Sequence, residues 1–395
     1  MGVDSVPFSM SKRKFWVTCY NFKVHSWCVM KKLSKAVFVL ILLSSTILLV
    51  SCGHDFWATT SPTNPSGAAN KFVYAGNNSG GSISEYTVGT GGALTAVSGS
   101  PVTVASGVVS IAADSGGKFV FAASSNGGAY ASTVNRTTGA LTLVSGSPFT
   151  TGSSPVWVVA TPGGSFVYVL NGGSKDVSVY AVNTTTGVLT PASSTTTLAG
   201  TPVRGTVDPS GHFLYVSEGT TGTQVFKIDA STGVLTAVST VPASPCALSV
   251  DVTVDANTKF AFVADGSSAV CGYTVNSSTG DLTVIGTAST SAGTQPVAIA
   301  SGAAGKFVFA ANQGGNNLSG WTVNVDGTLT AISGSPFTTG KSPNDVTVDP
   351  SGNYVFVANS GDNNISIFSI GSTNTLTSVG TIASGTGPRS IVATQ

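Results

Sequence analysis

Two arginines and three acids stand out in a chain that carries few charges: only 8% of its 395 residues are Asp, Glu, Lys or Arg. Arg204 or Arg389 could hold a carboxylate or stabilise an oxyanion, and Glu218 or Asp251 could activate a water, which is the equipment of an ester or lactone hydrolysis. A register groups three of them, Arg204, Asp251 and Asp345. Ser110, Trp157, Arg204, Asp251, Ala298 and Asp345 follow one another every 47 residues, and Ser390 continues the series after a two-residue shortening. A core position would keep one residue type, whereas this one varies and is mostly polar beside apolar neighbours (Ile111, Val158, Val252, Ile299, Val346, Ile391). Arg204, Glu218 and Asp251 are therefore the candidate catalytic residues, and Trp157, Asp345 and Arg389 the candidate ligand contacts. The competing structural reading makes Arg204 and Asp251 a salt bridge between adjacent repeats that closes the ring.

Other chemistries find less support. His212 begins an aromatic stretch at the place where sister repeats carry Lys118, Lys259 and Lys306, so it belongs to the surface. The chain has no Gly-x-Ser-x-Gly elbow, His-Glu-x-x-His pair or phosphate loop, and no paired acids at metal-ligand spacing. Asp251 and Asp345, two repeats apart, are thin support for a calcium ion. No cofactor and no metal are expected.

The elements that must position these residues recur with the same period. Phe72/Tyr74, Phe119/Phe121, Phe166/Tyr168, Phe213/Tyr215, Phe260/Phe262, Phe307/Phe309 and Tyr354/Phe356 are each 47 residues after the last. Each unit reads as four short strands: the aromatic stretch, a second strand such as Val177–Tyr180, a third opened by Leu-Thr, and a Pro-led run such as Pro343–Val348. Asp349-Pro350-Ser351-Gly352 is a tight-turn sequence that returns the Pro-led run to the next aromatic strand. Antiparallel units of this length without a helical pattern predict an all-β, seven-bladed propeller over 71–395. Because the array opens on an aromatic strand and closes on Pro388–Gln395, the C-terminal strand must complete the first blade. Strand alternation puts the loop after each aromatic strand and the entry to each Pro-led run on one face, where a channel-mouth ligand would sit. Lys175, Asp176, Glu218, Asp265, Lys341 and Asp362 fall there, while Asp208, Asp255 and Asp349 belong to turns on the other face.

Charge and the N-terminal region bound the setting. Seven of the seventeen basic residues precede position 36, and from Cys52 onward acids outnumber bases 15 to 10, so no basic stripe is available for nucleic acid. Met30-Lys31-Lys32-Leu33-Ser34-Lys35, the apolar run 36–50 and Ser51-Cys52 read as an export signal, and the run is too short for a permanent membrane-spanning helix. Leu49-Val50-Ser51-Cys52 resembles the lipobox of bacterial lipoproteins, which implies cleavage before Cys52 and a lipid anchor on it. Residues 30–51 are then the signal peptide, 52–70 a Ser/Thr/Pro/Gly-rich tether, and 1–29 an upstream extension, with translation starting at Met30. A monomer attached to the membrane only through its lipid is expected. Cys246 and Cys271 lie near one face of one blade with a strand between them, roughly 9 to 10 Å apart by strand spacing, beyond disulfide reach unless the lead-in loop bends over.

The repeats, the Asp-Pro-Ser-Gly turn, Tyr354-Val355-Phe356-Val357-Ala358-Asn359 and the twice-used Gly-Ser-Pro-Phe-Thr-Thr-Gly (146–152, 334–340) resemble the seven-bladed lactonase-like propellers over 71–395. That family includes 6-phosphogluconolactonases and carboxymuconate cyclases, and the chain is similar too to YVTN-repeat surface propellers. The resemblance implies a small-molecule lactone or sugar acid as substrate. The family's enzymes carry Gly-Pro-Arg-His in a Pro-led strand and Asn-Glu after a following aromatic strand. Gly387-Pro388-Arg389 fits the first three positions and Ser390 replaces the histidine; Val203 and Arg204 take the arginine and histidine positions in the fourth unit, and Glu218 falls one residue early. The alternative is a propeller without catalysis that binds a glycan or protein partner at the cell envelope.

Overall fold

The structure, a computed structural model, describes residues 4–10, 13–22, 25–30, 71–192, 195–241, 246–286 and 290–394. Two units result. In the first, the strands Asp4–Met10, Arg13–Phe22 and His25–Met30 form a three-stranded antiparallel sheet with the middle strand in sequence at its centre. The expected tether, Cys52 and all but the first residue of the expected signal peptide lie outside the described residues. Among the described residues no helix is long and apolar enough to cross a membrane.

The second unit is the seven-bladed propeller, and its period follows from packing. In each blade the Pro-led strand is innermost, the aromatic strand next, and the Leu-Thr strand outermost, as in Pro155–Ala160, Phe166–Asn171, Asp176–Val182 and Leu189–Pro191 of blade 3. The aromatic strand is sandwiched between neighbouring blades, so both of its faces are buried and it tolerates no alternation with polar residues. The apolar core is accordingly divided into clusters that each bridge two adjacent blades, all seven interfaces being filled. The exit turns that end in Thr-Gly are part of this packing. Gly233 has φ +71, and a Cβ there would stand 2.4 Å from Phe166 Cδ1 of the preceding blade, so the turn needs glycine both for its backbone and for the ring beneath it. Tyr168 of that same preceding blade donates its hydroxyl to the Gly233 carbonyl (2.9 Å).

Closure is as the sequence requires. Pro388–Thr394 pairs with Phe72–Asn77, so the chain's last strand is the innermost strand of blade 1. The expected four strands per blade are present, and the third strand of four blades also pairs with a further short strand: Val102–Thr103, Thr196–Thr197, Thr290–Ser291 and Phe337–Thr338. The turn aspartates act as expected, each Asp208, Asp255 and Asp349 carboxylate accepting two backbone N–H groups at the start of the following aromatic strand.

Candidate functional site

Six of the seven inner strands contain a bulge one residue after their start, as between Pro155 and Trp157 or Ser249 and Asp251. The extra residue has no partner on the aromatic strand, so its side chain turns to the mouth of the channel. Val109, Val156, Val250, Val297, Asn344 and Arg389 occupy the bulges, and with Val203 of blade 4 they line a cavity of about 400 Å³ floored by Trp157 and Arg204 and joined by Gln313. This ring escaped sequence reasoning, except at Arg389. Its signal was present one position before the polar ring, where five valines recur every 47 residues, but an apolar column reads as core until the bulge is known.

The polar ring itself lies one layer deeper and is largely structural. Four members accept from the backbone of the next blade: Val158 N–H donates to Ser110 Oγ (3.2 Å), Ile299 N–H to Asp251 Oδ2 (2.9 Å), Ile391 N–H to Asp345 Oδ2 (2.9 Å) and Ile111 N–H to Ser390 Oγ (3.1 Å). Trp157 Nε1–H donates to the Gly205 carbonyl at 2.9 Å in the same sense. Its variability thus comes from the several side chains that can make one interblade contact.

Arg204 instead crosses the channel. Its Nη1 donates to Asp345 Oδ1 at 2.8 Å, three blades away, and Nη2 donates to the Asn344 carbonyl. Asp251, the expected partner in the adjacent blade, is also within ion-pair range at 3.8 Å, and the guanidinium lies 4.4 Å from the Trp157 ring centroid. All three charged groups are buried, with exposures of 7%, 5% and 6% for Arg204, Asp251 and Asp345. Burial raises the carboxyl of Asp251 to about 7, against the pull of Arg204 and of its backbone donors, and the nearby Asp345 adds to the rise. Burial also raises Asp345, opposed first by Arg204. The two acids line a second cavity of about 200 Å³ further along the channel, to which Trp157 also contributes, so the Trp157–Arg204 layer separates them from the mouth.

The family description "Lactonase, 7-bladed beta-propeller" matches residues 59–331 and 225–393. The chain belongs to this lactonase propeller family. A search of the curated proteins returns no match. Solved structures with the same fold include a Bacteroides fragilis protein named as a candidate 6-phosphogluconolactonase (20% identity, 85% of this chain and 100% of that one, TM-score 0.71). They also include the Pseudomonas aeruginosa periplasmic gluconolactonase (18% identity, 83% and 99%, TM-score 0.67) and a Lactobacillus plantarum protein (19%, 83% and 100%, TM-score 0.68).

Within this lactonase propeller Glu218 stands apart from the other candidates. It takes the place of Asn77, Asn171, Asn312 and Asn359 in sister blades, each of which donates to a serine on the third strand of its own blade. In blades 1, 3 and 7 that serine accepts the N–H of a glycine in the lead-in to the inner strand, as Ser178 does from Gly152 at 3.1 Å. In blade 4 the carboxylate makes the contact itself: Gly200 N–H donates to Glu218 Oε2 at 2.8 Å, and Gln224 Oε1 accepts from Ala199 N–H. Glu218 Oε1 is buried without a partner, and burial pushes the carboxyl up to about 7. The side chain does not line the mouth cavity.

The same latch accounts for the thiols. Cys246 occupies the lead-in glycine position of blade 5 and Cys271 the position of Ser178, and the two are joined as a disulfide with Cα atoms 6.0 Å apart. This corrects the spacing expected from strand order: the lead-in bends over the aromatic strand, bringing Cys246 Sγ within 3.6 Å of the Val263 carbonyl.

Arg389 is the remaining charged side chain of the mouth. It stands at the rim, and among the described residues no acidic side chain pairs with it. Its side chain is exposed to solvent, while the atoms crowded around the mouth, and then the charge of Arg204, pull its guanidinium below its ordinary value.

Proposed function

We propose that this lactonase propeller is an exported, lipid-anchored hydrolase of small anionic lactones, with the channel mouth as its site. The observation that carries the reading is the unpaired Arg389 guanidinium above Arg204 in a cavity of ligand size. In this reading Arg389 holds the substrate's acid group, and Arg204 supports negative charge developing on the carbonyl oxygen. Asp251, poised near neutrality by burial but lying behind the Trp157–Arg204 layer, takes the proton of the attacking water through an intervening water in the second cavity. Export rests on the basic run, apolar run and Cys52, and a relative of the same fold named as a periplasmic gluconolactonase suits that compartment.

A second reading, a propeller that binds without turnover, draws on one specific observation: Asp251 and Asp345 lie beyond the Trp157–Arg204 layer with their oxygens already engaged. Rates with a panel of sugar and muconic lactones, for the full chain and its Arg204→Ala, Asp251→Asn and Glu218→Gln forms, separate the two. The hydrolase reading expects turnover that Arg204→Ala and Asp251→Asn lower by about a hundredfold or more, with a lesser effect of Glu218→Gln. No turnover above the uncatalysed rate by the folded protein leaves the binding reading.

A further inference from the structure

The mouth is not evenly polar. Five of its seven ring positions are valine, and the two exceptions, Asn344 and Arg389, are neighbours in blades 7 and 1. Asn344 has little to offer a ligand: its amide donates to the Ser342 carbonyl and Ser360 Oγ, and its Oδ1 accepts from Gln313 Nε2 (2.9 Å). Arg204 holds Asp345 through Nη1 and the Asn344 carbonyl through Nη2, so only its remaining N–H groups can reach the carbonyl oxygen, and it is not available to the acid group. What remains among the described residues is the Arg389 guanidinium, with Gln313 held against Asn344 near it, on one side of a ring whose other side is an apolar wall made by Val156, Val203, Val250 and Val297.

We infer that the mouth selects a monoanionic acid with an apolar body, the acid on Arg389 and the body against the valine arc, and discriminates against polyhydroxylated and phosphorylated sugar acids. The inference rests on the mouth being the ligand site and narrows the substrate class from there. A hydroxyl-rich ligand would lose water from groups for which the valines offer no partner. A phosphate would carry nearly a second charge that one guanidinium cannot meet. An apolar ring or chain, in contrast, gains from leaving water, and a single carboxylate matches the planar donor fork of Arg389.

Calorimetric titration of the full chain with four non-hydrolysable probes tests this: cyclohexanecarboxylate, its uncharged amide, gluconate and 6-phosphogluconate. Cyclohexanecarboxylate is expected to bind at least about tenfold tighter than each of the other three. Arg389→Gln should erase the difference between acid and amide. Val250→Thr with Val297→Thr, which nearly preserves shape, should narrow the gap between cyclohexanecarboxylate and gluconate several-fold with the melting temperature held. Equal or tighter binding of gluconate or 6-phosphogluconate, or no binding of any carboxylate, overturns the inference. Tight cyclohexanecarboxylate binding by a protein that hydrolyses no lactone would instead remove the hydrolase reading and leave this one standing. Turnover of polyhydroxylated lactones together with gluconate binding would do the reverse.

Discussion

Arg204 balances two buried carboxylates with one guanidinium, and the surplus negative charge makes the centre of the channel sensitive to protons. Asp251 and Glu218 are both raised to about 7 by burial, so the folded state holds their protons more tightly than the unfolded chain does. Their contribution to stability is present below the unfolded carboxylate range and is lost as pH climbs from about 4 through about 7. The melting temperature is therefore expected to be higher at about pH 5 than at about pH 8, by an amount on the order of a few kcal/mol in stability. The exposed turn acids Asp229, Asp281 and Asp326 are lowered by hydroxyl and backbone donors and act in the opposite sense, but only in a more acid window and screened by water. Thermal melts of Asp251→Asn with Glu218→Gln should show most of the slope above pH 4 removed; an unchanged slope would refute this account of the two acids. The 47-residue register revealed the polar ring because periodicity survives in sequence. It could not reveal that Arg204 reaches Asp345 across the channel as well as Asp251 beside it, since a long side chain's direction is set by space that only the closed ring defines.

At the level of strands, the latch between lead-in and third strand shows what sequence spacing leaves out. Glycine N–H to serine Oγ, backbone N–H to Glu218 and Gln224, and the Cys246–Cys271 disulfide are three solutions to one contact in different blades. Strand order alone put the two cysteines too far apart, because it counts the strand between them and ignores a loop that folds over it. The bulges were hidden for a related reason: they depend on a hydrogen-bond register that no residue type announces. A disulfide closing a 25-residue separation is expected to stabilise by roughly 3 kcal/mol. Cys246→Ala should lower the melting temperature, whereas Cys246→Gly with Cys271→Ser should recover part of the loss by rebuilding the latch of blade 3. Equal losses in the two forms, measured calorimetrically under oxidising conditions, would show that the serine latch does not transfer.

Across the whole molecule, ring closure and the proposed site meet at the seam between blades 7 and 1. Pro388–Thr394 closes the ring, Ser390 and Ile391 bond to blades 2 and 7, and Arg389 sits on the same strand. Removing residues 388–395 should leave the aromatic strand of blade 1 with an open edge and abolish a single cooperative melt; a truncated chain that melts unchanged would contradict ring closure as the source of stability. The architecture was almost wholly legible because seven copies of one pattern leave a single economical way to bury seven aromatic strands. The proposed site was less so, since it is made where the copies differ. The most direct test is therefore kcat/KM for an acid-bearing lactone of apolar body, compared between the full chain and Arg389→Gln. A loss of about a hundredfold or more, with the melting temperature preserved, is the predicted result; turnover indifferent to Arg389 would place the chemistry somewhere other than the channel mouth.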